Sequence, residues 1–261
     1  MTATTLTPSA TTPNAPTQST PTLSPATLPG LRGRARVLRD LRRDGIRASI
    51  RRRPVGVDTG DFVLAEPLGA GRWLLGVGDA MGRGDAAASV ASEVRTYLRS
   101  HASRTHGLAE LMRGANRFVH TLTDGERFVA LLLMVLDAPR QTVRLANAGQ
   151  NEPLAVGRSG GVIALEGHGP ALGLLPDVEY REAGPLRLPP GVLLLATTDG
   201  VTDALDGDAS IFGRTGASAA LAAARDDGPR GVVRRVLDDV EAHSATPLLD
   251  AASALCIRFS H

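Results

Sequence analysis

The chain contains no lysine; all 29 of its basic residues are arginine. Together with 29 glycines and abundant alanine, this reads as the mutational bias of a GC-rich genome before it reads as function. Against the acidic residues the net charge is only +2, too little to argue by itself for a nucleic-acid partner. Cysteine is nearly absent. The single Cys256 excludes an internal disulfide and a thiolate metal site, and it fits a reducing compartment. In Ala254-Leu255-Cys256-Ile257 it reads as a small buried hydrophobe. No apolar run approaches the roughly 20 residues that a membrane span needs. Residues 1–30 are Thr, Pro, Ser and Ala without the apolar stretch of a secretory signal. A cytoplasmic protein without a membrane partner is expected.

What is present is ordinary for a soluble globular chain: 43% hydrophobic and 21% charged residues over 261 positions. That length allows one large core plus a tail. Residues 1–30 cannot bury enough surface to offset their ordering entropy and are expected to be a disordered tail. Residues 31–45 form an arginine-rich lead-in, in which Val37 to Arg43 has the makings of a short helix. From 46 to 261 a single domain is expected.

Ile46, Ala48 and Ile50 alternate with Arg47, Ser49 and Arg51, the period-2 pattern of a half-buried strand. The Arg32–Arg53 stretch carries almost no aromatics to stack bases, so a solvated strand face or protein contact is favoured over specific nucleic-acid binding. Phe62–Ala65 and Trp73–Val77 flank a Gly69-Ala70-Gly71 turn and read as a hairpin. Asp85–Ser103 places Val90, Val94, Tyr97 and Leu98 on one helical face. Leu108, Leu111, Met112, Ala115, Phe118, Val119 and Leu122 mark a second helix. Strands follow at Phe128–Leu136, Thr142–Ala146, Pro153–Val156, Gly161–Leu165 and Val192–Ala196. Helices are expected at Ala217–Ala224 and Val232–Ala242, with a closing strand at Ala254–Phe259. Hairpins with helices in grouped pairs indicate an α+β layered domain, and the absence of GxxxxGK[ST] argues against a P-loop enzyme.

Four aspartates stand where apolar strands end or turn: Asp58, Asp79, Asp199 and Asp250. Taken singly, an aspartate beside glycine is a routine turn former. As an ordered set on rigid elements, carboxylates suit hard cations such as Mg²⁺ or Mn²⁺. Four such charges cannot converge without a cation, because repulsion would protonate some of them. Two divalent ions would remove that conflict and could activate a water against a phosphoryl group. The six histidines are scattered and form no metal set.

The order of motifs resembles the metal-dependent (PPM, type 2C) serine/threonine phosphatases, in the SpoIIE and sigma-regulator branch. Gly56-Val57-Asp58-Thr59-Gly60-Asp61 matches their opening Gly-Gly-Asp-x-x-Asp. Gly78-Asp79-Ala80-Met81-Gly82-Arg83-Gly84 matches Gly-Asp-x-x-Gly-His/Asn-Gly at a helix start. Asn147 to Pro153 corresponds to Asn-Ala-Gly-His-x-Pro, and Ala171-Leu172-Gly173-Leu174 to a Leu-Gly segment. Thr198-Asp199-Gly200-Val201-Thr202-Asp203-Ala204 is nearly the family's Thr-Asp-Gly-Val-Thr-Glu-Ala. Asp250-Ala251-Ala252-Ser253 is a reduced Asp-Asp-x-Thr. The likeness runs from about Ile46 to the C-terminus.

The resemblance implies a four-layer α-β-β-α sandwich of two mainly antiparallel sheets flanked by helices. It implies a two-metal site for Mn²⁺ or Mg²⁺ in which Asp79 bridges the ions, the Ala80 carbonyl assists one, Asp58 serves the first, and Asp199 and Asp250 complete the second. A metal-activated water would attack phosphorus in line, without a covalent phosphoenzyme. The implied substrate is a phosphorylated regulatory protein of the anti-sigma-antagonist type. Three departures stand out: Arg83 for His or Asn, Gln150 for His, and Ala251 for the second acidic residue. Arg83 reads either as a solvent-facing turn residue or as a phosphate contact. Asp61 and Asp203 read either as acids supporting the site or as surface turns. The competing expectation is a degenerate phosphatase domain that binds a regulatory protein without turnover.

Overall fold

The computed structural model describes residues 36–43, 45–55 and 60–260. The expected tail at 1–30 and Asp58 lie outside them. The first strands are β1 (Arg36–Arg43), β2 (Ile46–Arg53), β3 (Phe62–Gly69) and β4 (Arg72–Ala80). Two helices follow, α1 (Asp85–His101) and α2 (Leu108–Leu122), and then β5 (Val129–Asp137), β6 (Thr142–Ala148), β7 (Leu154–Val156) and β8 (Val162–Ala164). The chain continues through β9 (Ala183–Arg187), β10 (Leu193–Thr197), α3 (Asp199–Thr202), α4 (Gly213–Ala223), α5 (Gly228–His243) and β11 (Ala252–Phe259).

Two antiparallel sheets result, ordered β1-β2-β11-β10-β7-β8 and β3-β4-β5-β6-β9. The α+β sandwich expected from the motifs is the observed architecture. Strand alternation explains its layers, because successive side chains face opposite sides of a sheet. On β5, Leu132, Met134 and Leu136 point into the core between the sheets, where Trp73, Leu75, Ile46, Ile50, Leu255 and Ile257 meet them. Leu131 and Leu133 point the other way, onto Val94, Leu98, Leu111 and Met112 of α1 and α2. Being covered on both faces is why this strand reads as a continuous apolar run rather than an alternating one. On the far side, Ala254 and Cys256 of β11 pack under Leu221, Val233, Val236 and Leu237 of α4 and α5. Cys256 is fully buried, as expected, and burial pushes its thiol pKa up.

Capping of α2 comes from a distance. No side chain at Gly107 caps the helix, and the Leu108 N–H instead donates to Glu182 Oε2 at 2.7 Å. A carboxylate at the positive end of a helix satisfies an orphan donor and complements the dipole.

Two local expectations are corrected, and one strand is added. Residues 37–43 belong to a strand and not a helix: β1 pairs antiparallel with β2 from Arg43↔Ile46 to Arg36↔Arg52. Gly45, at φ 80, stands in the tight connection, and the ladder to β2 wins over weak local helix propensity. Leu122, expected on the core side of α2, is exposed because the helix ends there. Strand β9 was not foreseen. It is an edge strand whose Gly184 and Pro185 mask its character, and proline is tolerated at such an edge.

Candidate metal centre

Antiparallel pairing brings four chain segments to one end of the sandwich. Asp61 immediately precedes β3, Asp79 is the penultimate residue of β4, Asp199 opens α3 just after β10, and Asp250 precedes β11. Asp61, Asp79 and Asp199 each offer an oxygen such that all three lie within 4.8 Å of one another. Asp250 adds a charge beside Asp79 and Asp199. Among the described residues this is the group of acidic, histidine and cysteine side chains placed to hold an ion. The histidines lie elsewhere: His120 on the Gly173 carbonyl and His243 on the Ser210 carbonyl, for example.

Close packing at two glycines holds the segments together. A Cβ on Gly60 would sit 2.1 Å from the Ala80 carbonyl oxygen, and the Gly60 carbonyl accepts the Ala80 N–H at 3.1 Å. A Cβ on Gly200 would sit 2.0 Å from the Ala251 carbonyl oxygen. Each glycine therefore lets one aspartate-bearing segment lie against another. No other residue fits either position without moving backbone.

Asp61 is the most constrained of the set. It is 4% exposed, and its Oδ2 accepts hydrogen bonds from Thr198 Oγ1 at 3.0 Å and from Ser253 Oγ. Thr198 Oγ1 in turn accepts the Ser253 N–H at 3.0 Å. Its Oδ1 is buried with no hydroxyl, amide or cationic donor among the described residues; the Asp79 carboxyl adjoins Asp61 and can share a proton with it. A buried carboxylate oxygen without a donor is costly unless something cationic faces it.

The electrostatics agree. Burial pushes the Asp61 carboxyl up to about 7, opposed by the Ser253 and Thr198 hydroxyls and reinforced by the charge of Asp199. Burial, followed by the charges of Asp61, Asp199 and Asp250, pushes Asp79 up to about 8. Asp199 is raised by burial and by Asp250. Carboxylates crowded in this way share protons when bare and become fully ionised when a cation replaces those protons. An all-oxygen set suits Mg²⁺ or Mn²⁺. The residues fit such an ion.

The other sequence-derived positions can now be placed. Ala80 is buried, with its carbonyl packed against Gly60. Arg83 and Asp203 are exposed, and Asp203 Oδ1 accepts the Thr202 hydroxyl. Gln150 is locked in a loop closed by Asn147, whose side chain bonds both the Gln150 N–H and carbonyl at 2.8 Å. The next residue, Asn151, donates to Thr202 Oγ1 at 3.1 Å, so this loop buttresses the helix that carries Asp199. Sequence reasoning did not single out Thr198 and Ser253 as site residues. Their signal was positional: each lies in a motif next to a candidate aspartate.

The model of the family "Stage II sporulation protein E (SpoIIE)" matches residues 69–260, a span that contains Asp79, Asp199 and Asp250. The chain belongs to the SpoIIE family. Its fold is that of PP2C phosphatase domains of known structure. It is 35% identical over 92 residues to protein IcfG of Synechocystis sp., a match covering 35% of this chain but only 14% of that relative. The Bacillus subtilis SpoIIE phosphatase domain with a fragment of its regulatory domain has the same fold. The TM-score is 0.70 at 17% identity, covering 85% of this chain and 64% of that one. RsbX in complex with magnesium matches with a TM-score of 0.61 at 13% identity, over 85% of this chain and 99% of that one. No helix among the described residues is long and apolar enough to cross a membrane.

Proposed function

We propose that this protein is a metal-dependent phosphoserine/phosphothreonine protein phosphatase, acting on a phosphorylated regulatory protein of the anti-sigma-antagonist type. The observation that carries the reading is the carboxylate cluster of Asp61, Asp79 and Asp199, with the buried Oδ1 of Asp61 lacking a donor. In support, the chain lies in the SpoIIE family, and RsbX, a structural relative, was solved with magnesium.

Asp61, Asp79 and Asp199 would hold divalent cations, Mn²⁺ or Mg²⁺, with Asp250, the Ala80 carbonyl and Asp58 as further ligands. Such cations, when bound, neutralise a transferring phosphoryl group and acidify water near neutral pH. The chain's own work is positioning. Thr198 and Ser253 fix the Asp61 carboxylate by donating to one oxygen and leaving the other free. The Asn147–Asn151 loop holds α3, and with it Asp199. Rigid placement of this kind supplies most of what phosphoryl transfer asks of a protein. Arg83, exposed at the entrance to α1, is offered as a contact for the substrate phosphate. Asp203, exposed and close enough for its charge to raise the Asp199 carboxyl, is offered likewise as an acid on the substrate side.

The test is release of phosphate from a phosphoserine peptide and from a generic aryl phosphate, with Mn²⁺, Mg²⁺ or a chelator. Mn²⁺-dependent turnover that Asp79→Asn abolishes is expected. Absence of turnover with either metal, together with tight binding of a regulatory partner, would establish a non-catalytic binding domain instead.

A further inference from the structure

At the end of the sandwich remote from the carboxylates, four arginines line one cavity of about 220 Å³. They are Arg47 of β2, Arg258 of β11, Arg158 in the β7–β8 turn, and Arg225 between α4 and α5. At ~3.3 Å per residue, β11 separates Arg258 from Ala252 at the acidic end by about 20 Å. Asp226 is the one carboxylate in the lining, 3.8 Å from Arg225 and exposed. The guanidiniums of Arg47, Arg158 and Arg258 make no hydrogen bond or ion pair with any described residue.

This concentration of charge runs against the fold's own interest. Arg258 stands directly opposite Arg47 in the β11–β2 register, and Arg47 opposite Arg42 in the β2–β1 register. Like charges facing one another across a ladder are destabilising. Arg258 also lies at the start of the 16-residue helix α5: a Cβ on Gly228 would be 3.6 Å from its Nη2. The residue before that helix is Asp227, which makes no side-chain capping bond but places its carboxylate beside the first turn, 3.3 Å from where a Cβ on Gly231 would stand; Arg258 is thus added to a helix end that favours negative charge. Gly191 and Gly160 border the same guanidiniums: a Cβ on Gly191 would be 3.5 Å from Arg158 Nε and one on Gly160 3.9 Å from Arg225, both ordinary contact distances. Within the lining one exposed carboxylate, Asp226, stands against four guanidiniums.

We propose that this cavity binds a compact, multiply charged phosphate anion, with inorganic pyrophosphate as the simplest probe. Guanidinium forks pair with phosphate oxygens two at a time, which a halide cannot reproduce. The lining offers no platform for a base, because its one aromatic, Phe259, is turned into the core between the sheets. Phosphate chemistry is therefore favoured over nucleoside or nucleic-acid recognition. The proposal is independent of the metal centre and of the proposed catalysis.

Calorimetric titration of the full chain, stripped of divalent metal so that the acidic end repels anions, tests it. One saturable pyrophosphate site is expected, with sulfate bound more weakly. Arg158→Ala, in an exposed turn where folding is not at stake, should weaken binding by about tenfold, as loss of a charge-assisted contact does. Arg47→Gln should weaken it by at least as much. The proposal is overturned by absence of saturable binding, or by affinities unchanged in both variants. It is equally overturned if a single-stranded oligonucleotide binds more tightly than pyrophosphate with a steep loss in salt, the mark of a diffuse basic surface.

Discussion

Ser253 lies 192 positions from Asp61 in the chain, yet its hydroxyl donates to Asp61 Oδ2 inside the carboxylate cluster. With Thr198 on the same oxygen, it determines which way this buried acid points. Ser253→Ala should therefore fold but lower Mn²⁺ affinity by about 10- to 100-fold, the usual consequence of removing a partner that orients a ligand. Ser253→Thr, which restores the hydroxyl, should recover most of it. Metal titration followed by calorimetry distinguishes the two variants.

Stability without metal should fall as pH rises. Asp61 and Asp79 have folded-state pKa values raised from 3.8 to about 7 and about 8. Between the unfolded and folded values the native state binds more protons than the unfolded chain, so stability declines with pH across that window. Thermal melts of chelator-treated protein should show a lower Tm at about pH 8.5 than at about pH 5.5, from a loss on the order of a few kcal/mol. Asp79→Asn should flatten the profile. Added Mn²⁺ should stabilise most at the alkaline end, where it no longer competes with protons.

Gly200 is pressed against the Ala251 carbonyl, 2.0 Å from where a Cβ would stand. Gly200→Ala must push α3 away from the start of β11, separating Asp199 from the other carboxylates. A cost of about 1–3 kcal/mol is expected for such overpacking. Metal-dependent activity should fall further than the Tm change alone explains. Equal activity per folded molecule would show that the close approach is not needed by the site.

Glu182 offers the opposite contrast. It caps α2 at the Leu108 N–H and pairs with Arg144 at 2.8 Å, and it has no part in the carboxylate cluster. Glu182→Ala should lower stability by about 1 kcal/mol, as loss of a helix cap does, while leaving Mn²⁺ affinity unchanged. Urea unfolding and calorimetry on the same preparation check both halves.

The architecture was legible in the sequence because burial leaves a clear pattern. The run from Phe128 to Leu136 is apolar throughout since β5 is covered on both faces. Asp79 and Asp199 were legible because each stands at or just beyond the end of an apolar strand, beside glycine. Asp61 was read as a supporting acid at most; its place inside the cluster depends on hydroxyls 137 and 192 positions away, which no local pattern encodes. The lead-in strand β1 was read as a helix because its pairing with β2 is a tertiary fact. Glu182 as the cap of α2, 74 residues off, is hidden for the same reason.

The most direct measurement is a calorimetric Mn²⁺ titration of the metal-free protein beside Asp61→Asn and Asp79→Asn. Saturable binding that weakens by about 100-fold or more in each variant, as expected when a charged ligand is lost from a hard-cation site, is the predicted result. Binding of undiminished affinity in both variants, or none in the parent protein, would contradict the account.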